Sequence, residues 1–193
     1  MNPANVRCVV IATALAWFAS ARGGIGETNV PDALTLRVQA DRLASSGEWK
    51  SAIAAYEALV DGDPSLTPVL APVLVRLAVE GKQTEPALRW AAEVAREHPR
   101  PDAYWAGVYT ELGHYEAALQ KLVAAERAAQ TPRERVELHW QRADIHRRRG
   151  DFDASRAELT RAVRAAEGQP EHDAALRRLE QIEPPPRATP PPP

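Results

Sequence analysis

The side chains able to do chemistry in this 193-residue chain are few. The histidines are His98, His114, His139, His146 and His172, and the single cysteine is Cys8. Only His139 and His146 fall on one predicted helix. Seven residues place them two turns apart on one face, too far for both to ligate one metal ion directly. With Asp144 between them a proton-transfer site can be drawn, but no nucleophile and no oxyanion donor accompany it, so the histidines read as solvated helix residues. There is no phosphate-cradling glycine loop, no Gly-x-Ser-x-Gly elbow, no His-Glu-x-x-His and no pair of metal-binding cysteines. The sequence therefore predicts no catalytic set, no metal and no cofactor.

Charge points the same way. Twenty-four Lys+Arg against 26 Asp+Glu give a net charge of −2, without the cationic surplus that neutralises phosphates in a domain built to coat nucleic acid. The strongest local excess is nine arginines against six acids over residues 133–164, containing the run Arg147-Arg148-Arg149. Three cations ahead of Gly150 complement the negative end of a helix dipole. The functional reading of the same run is an anion or acidic-peptide contact.

Cys8 belongs to a different context. Residues 1–21 combine a polar start bearing Arg7, an apolar run from Cys8 to Ala19 and the exit Ala19-Ser20-Ala21, which together predict a secretory signal cleaved after Ala21. A retained anchor is the alternative, although the run is shorter than the roughly 20 residues needed to span hydrocarbon. Cleavage would leave an exported chain, periplasmic or secreted, with no cysteine and hence no disulfide. Residues 22–32, with three glycines and Pro31, read as a flexible leader.

Apolar residues recur at three- and four-residue steps from Ala33 onward and predict an all-α fold. Turn glycines at Gly47, Gly81, Gly113 and Gly150 lie 34, 32 and 37 residues apart. Two residues after each comes an aromatic in three of four cases (Trp49, Tyr115, Phe152), and a small residue follows three further on (Ala52, Ala118, Ser155). The second copy departs, with Gln83 at the aromatic slot and one apparent extra residue before Ala87. Pro68 and Pro72 predict that its first helix starts late, near Ala71. Pro99 and Pro101 shorten the third copy's first helix. Units of this kind cannot hide their apolar stripes alone and must stack on their neighbours.

Over residues 33–167 this pattern resembles the tetratricopeptide repeat: Gly47, Trp49, Ala52, Tyr56 and Pro64 match in the first copy, Ala106, Tyr109, Gly113, Tyr115 and Ala118 in the third, and Ala143, Gly150, Phe152 and Leu159 in the fourth. The resemblance implies a right-handed α-solenoid with repeats at about 33–66, 67–98, 99–132 and 133–168. Residues 171–183 predict a capping helix with Ala174, Leu176, Leu179 and Ile182 on its packing side, completing a helical domain over 33–183. Residues 184–193 predict a disordered proline-rich tail, a spacer or a recognition tail for a proline-binding partner.

The resemblance also implies a function, a non-enzymatic scaffold or adaptor that holds a protein or peptide segment in a concave groove, and the predicted export signal puts that function in the cell envelope. By alignment the groove would be lined by Arg37, Asp41, Val75, Tyr104, Gly107, Glu111, Trp140, Asp144, Arg147 and Arg148, with Trp140 as aromatic anchor. The charge clamp by which some family members grip a terminal carboxylate needs Lys, Asn and Arg where this chain has Ala71, Val75, Ala103 and Gly107. Two alternatives remain beside the scaffold: a self-associating structural subunit, and an enzyme with a site near His139, Asp144 and His146.

Overall fold

A computed structural model describes residues 33–181. The predicted signal, the leader and the proline-rich tail lie outside them. The described residues are all-helical, in nine α-helices: α1 (Ala33–Ser45), α2 (Trp49–Gly62), α3 (Thr67–Glu80), α4 (Thr84–Glu97), α5 (Pro101–Glu111), α6 (Tyr115–Ala128), α7 (Pro132–Arg148), α8 (Phe152–Ala165) and α9 (His172–Glu180), with a 3₁₀ turn at Pro64–Leu66. The closest packing joins α1 to α2, α3 to α4, α5 to α6 and α7 to α8. Each pair then contacts the next, and α5 also touches α7 directly.

The turns inside the four pairs share one hydrogen-bond pattern. The N–H groups of Glu48, Gln83, His114 and Asp151 donate to the carbonyls of Leu43, Ala78, Tyr109 and His146, five residues back. The residue before each donates to the carbonyl three back, as in a Schellman cap. That cap requires a left-handed residue, supplied by Gly47 (φ 79°), Gly113 (79°) and Gly150 (80°).

In the second pair the left-handed residue is Lys82 (φ 52°), not Gly81. Gly81 has another task, because a Cβ there would lie 2.5 Å from Cβ of Trp49, whose side chain rests on that backbone. Counted from Lys82, the extra residue disappears. Ala52, Ala87, Ala118 and Ser155 each stand five residues after the left-handed position, and each is fully buried. Ser155 satisfies its hydroxyl by donating to the Ala143 carbonyl at 2.7 Å.

Other expectations are also corrected. Helix α3 begins at Thr67 and carries Pro72 inside it. Pro72 removes one ladder bond, but its ring is exposed while Leu70, Ala71 and Leu74 around it are buried, so packing outweighs the lost bond. On α9 the buried residue is Ala175, which joins Val136, Ala162 and Ala166, while Leu176 is exposed. Helix α7 starts in a capping box that the repeat pattern had not marked: Glu134 N–H donates to Thr131 Oγ1 at 3.2 Å, Thr131 N–H donates to Glu134 Oε2 at 3.0 Å, and Pro132 opens the first turn.

The core is a chain of clusters, not one centre. Tyr56, Leu59, Leu70, Leu74 and Leu77 fill α1–α4. Val75, Ala91 and Val108 link α3, α4 and α5. Ala106, Leu122, Leu138 and Ile145 join α5–α7. Among the described residues no single helix is long and apolar enough to cross a membrane.

Candidate functional site

Between α5 and α7 an open cleft of about 350 Å³ is lined by Gly107, Thr110 and Glu111 from α5, by Glu137, Trp140, Gln141 and Asp144 from α7, and by Arg178 from α9. These α5 and α7 residues come together because Ala106 (1 % exposed) and Ala143 (4 %) are small and buried, which lets the helices approach and leaves their next turns facing one space. Gly107 forms part of the wall. A Cβ at that position would meet nothing within 4 Å, and its φ is not left-handed, so neither close packing nor the backbone requires glycine there.

The cleft carboxylates are held by arginines. Arg148 donates through Nη2 to Glu111 Oε1 at 2.7 Å and through Nε to Asp144 Oδ2 at 2.7 Å, so it ties α5 to α7 across the cleft. Arg147 also donates to Asp144. Partial burial pushes the Asp144 carboxyl upward, but the Arg147 and Arg148 hydrogen bonds and charges outweigh it and hold the group below its ordinary value. The bond to Glu111, with support from Asp144, raises Arg148 further against partial desolvation. Glu137 accepts from Arg100 Nη1 at 2.6 Å.

Trp140 packs against the cluster of Val136, Ala162, Ala166 and Ala175. The guanidinium of Arg178 lies over the ring, 4.2 Å from its centroid. The indole Nε1 is shielded from solvent and has no hydrogen-bond partner among the described residues. An unmet buried donor of this kind costs about 1–3 kcal/mol.

Of the residues the sequence assigned to the groove, Glu111, Trp140 and Asp144 line this cleft, together with Gly107. Arg147 and Arg148 brace it through Asp144. Arg37 and Asp41 lie elsewhere, on α1, where Tyr56 donates to Asp41 and the Arg37 guanidinium lies 5.5 Å from the Tyr56 ring centroid. Burial and the Asp41 bond push the Tyr56 hydroxyl up to about 12. Val75 is corrected from groove to core: seven residues before Lys82 it holds the slot of Ala40, Ala106 and Ala143, and it is 7 % exposed. The corresponding exposed residue is its neighbour Arg76, which the sequence reading missed by the one-residue slip at Gly81. Tyr104 packs in the Val75 cluster and stacks on His98 at 5.0 Å between centroids. Burial raises its hydroxyl.

His139, Asp144 and His146 do not converge. His139 is turned toward α8, its Nδ1 2.8 Å from Glu158 Oε2 in a largely buried pair, so it is not a solvated residue. Asp144 faces Arg147 and Arg148. His146 Nδ1 lies 3.8 Å from Asp151 Oδ2. Among the described residues no group of three His, Cys, Asp or Glu side chains is placed to hold a metal ion.

The sequence reading also missed Arg178, Glu137 and Glu158. Glu158 carried a signal, since Ser155, Glu158, Leu159 and Ala162 form one buried helical stripe. Arg178 carried none, because its place depends on how α9 lies against α8. Compared with known proteins, the chain matches no family model and no curated protein.

Proposed function

We propose that this protein is a non-enzymatic scaffold that holds a segment of a partner protein in the cleft between α5 and α7. In this reading the helix pairs are four tetratricopeptide-like repeats, wound as a right-handed solenoid and closed by α9, in an exported protein of the cell envelope. The export part rests on residues 1–21. The repeat part is supported by the four equivalent turns and by the small buried residue five positions after each.

The observation that carries the binding function is Gly107. A glycine inside a helix destabilises it by roughly 0.5–1 kcal/mol relative to alanine. Here that loss is offset by no packing or backbone requirement, and what the missing side chain leaves open is the cleft. Rigid helices then present the Trp140 indole, Gln141 as a hydrogen-bonding group, and carboxylates fixed by Arg148. A preformed site of this kind spends little of its binding energy on ordering itself.

The test is affinity capture from an envelope fraction with the tagged protein, repeated with Trp140→Ala and Arg147→Ala after circular dichroism shows both variants folded. A partner retained by the wild type and lost by Trp140→Ala, with weaker retention by Arg147→Ala, supports the reading. Equal recovery by all three removes it.

A further inference from the structure

The cleft already contains one cation. Among the described residues Arg178 is the only basic one lining it, and its guanidinium sits on the Trp140 ring. A cation over an indole face is held by the ring quadrupole. Among the described residues Arg178 makes no ion pair and no side-chain hydrogen bond, and its guanidinium rests on the Trp140 ring. Three carboxylates, Glu111, Glu137 and Asp144, line the same space, and the four arginines that hold them (Arg148, Arg147, Arg100 and Arg133) do not line it. The helix that brings Arg178 is lightly attached: α9 buries only Ala175, and its Glu171 end meets Arg133 at 3.7 Å.

The geometry points to an arginine receptor. Trp140 with its carboxylate rim binds an arginine side chain of the partner segment, and Arg178 is the intramolecular occupant which that side chain displaces. This deepens the scaffold reading and rests on it. Arginine is favoured over lysine because the planar guanidinium stacks on the indole while its edge N–H groups remain free for carboxylates, and because it gives up water more readily than an ammonium. Displacement sets a threshold. While Arg178 covers the ring, the apparent affinity for the partner is reduced by the fraction of molecules whose ring is covered.

The experiment follows the indole N–H resonance of Trp140 in the ¹⁵N-labelled full chain, assigned by its loss in Trp140→Phe. The probes are a capped peptide of alternating glycine and arginine and the same peptide with citrulline, which keeps the shape and removes the charge. The arginine peptide should shift the resonance and the citrulline peptide should not. Arg178→Ala and Arg178→Gln, both at an exposed position, should bind the arginine peptide about five-fold tighter than wild type. An equal shift with citrulline, or unchanged or weaker binding in both Arg178 variants, overturns the proposal.

The two readings fail differently. If the captured partner depends on Trp140 but is neither competed by the arginine peptide nor strengthened by Arg178→Ala, the scaffold stands and the arginine receptor does not. If the peptide binds as described while partner capture is indifferent to Trp140, the scaffold reading fails.

Discussion

Glu158 is 6 % exposed on the packing face of α8, and a carboxylate so buried must be matched by donors. It pairs with His139 Nδ1 at 2.8 Å and with Arg161, and the charge of Arg142 lies close by. Burial pushes its carboxyl upward, but these partners together outweigh burial and hold it below the ordinary 4.5. A folded value below the unfolded one gives stability that is complete above 4.5 and is lost as pH falls through the lowered folded value. Glu158→Gln, which leaves His139 and Arg161 without their charge partner, should therefore lower unfolding free energy by about 1–3 kcal/mol near neutral pH. The gap from wild type should narrow on the acid side of 4.5, as urea unfolding at a series of pH values would show. A gap of constant size would contradict a contribution from the Glu158 charge. The sequence shows the spacing that buries this residue, but not its partner, because His139 and Glu158 meet only once α7 and α8 are packed.

At the scale of the element, the turn between α3 and α4 uses two properties of glycine at two positions, whereas Gly47, Gly113 and Gly150 supply only the left-handed backbone, a Cβ there meeting nothing closer than 3.9 Å. Lys82 takes the left-handed conformation, which disfavours a residue with a Cβ by roughly 1–2 kcal/mol, and Gly81 supplies the close approach to Trp49. Lys82→Gly should raise stability by about 1 kcal/mol. Gly81→Ala should lower it by roughly 1–3 kcal/mol, because its Cβ must displace Trp49. Thermal unfolding of the two variants checks both signs, and a loss of stability in Lys82→Gly would contradict the assignment. This turn also explains where the sequence misled. Three glycines mark their turns correctly because the left-handed residue is the glycine. The fourth glycine is one position early, and that slip alone moved Val75 from core to groove and created the apparent extra residue. The start of α3 was hidden for a related reason: local proline rules place it near Ala71, whereas burial of Leu70, Ala71 and Leu74 carries the helix through Pro72.

Across the described residues, small side chains at the crossings bring helices together and apolar clusters follow one another along the chain. Contacts are then mostly between neighbours in sequence, which is why an all-helical arrangement of adjacent pairs could be read from periodicity. The cleft was legible in the part that α5 and α7 provide, since Glu111, Trp140 and Asp144 follow from their distance to Ala106 and Ala143. Arg178 was not, being set by the docking of a short helix through one alanine. On the proposed scaffold function the cleft beside Gly107 is kept open for a partner at a cost in stability, and the decisive variant is Gly107→Leu, with unfolding midpoint and partner capture measured on the same preparation. The side chain would occupy the cleft while replacing a helix-interior glycine with a strong helix former. The expected result is a midpoint about 2–4 °C higher together with loss of the partner. A variant that keeps the partner at the wild-type level would contradict it.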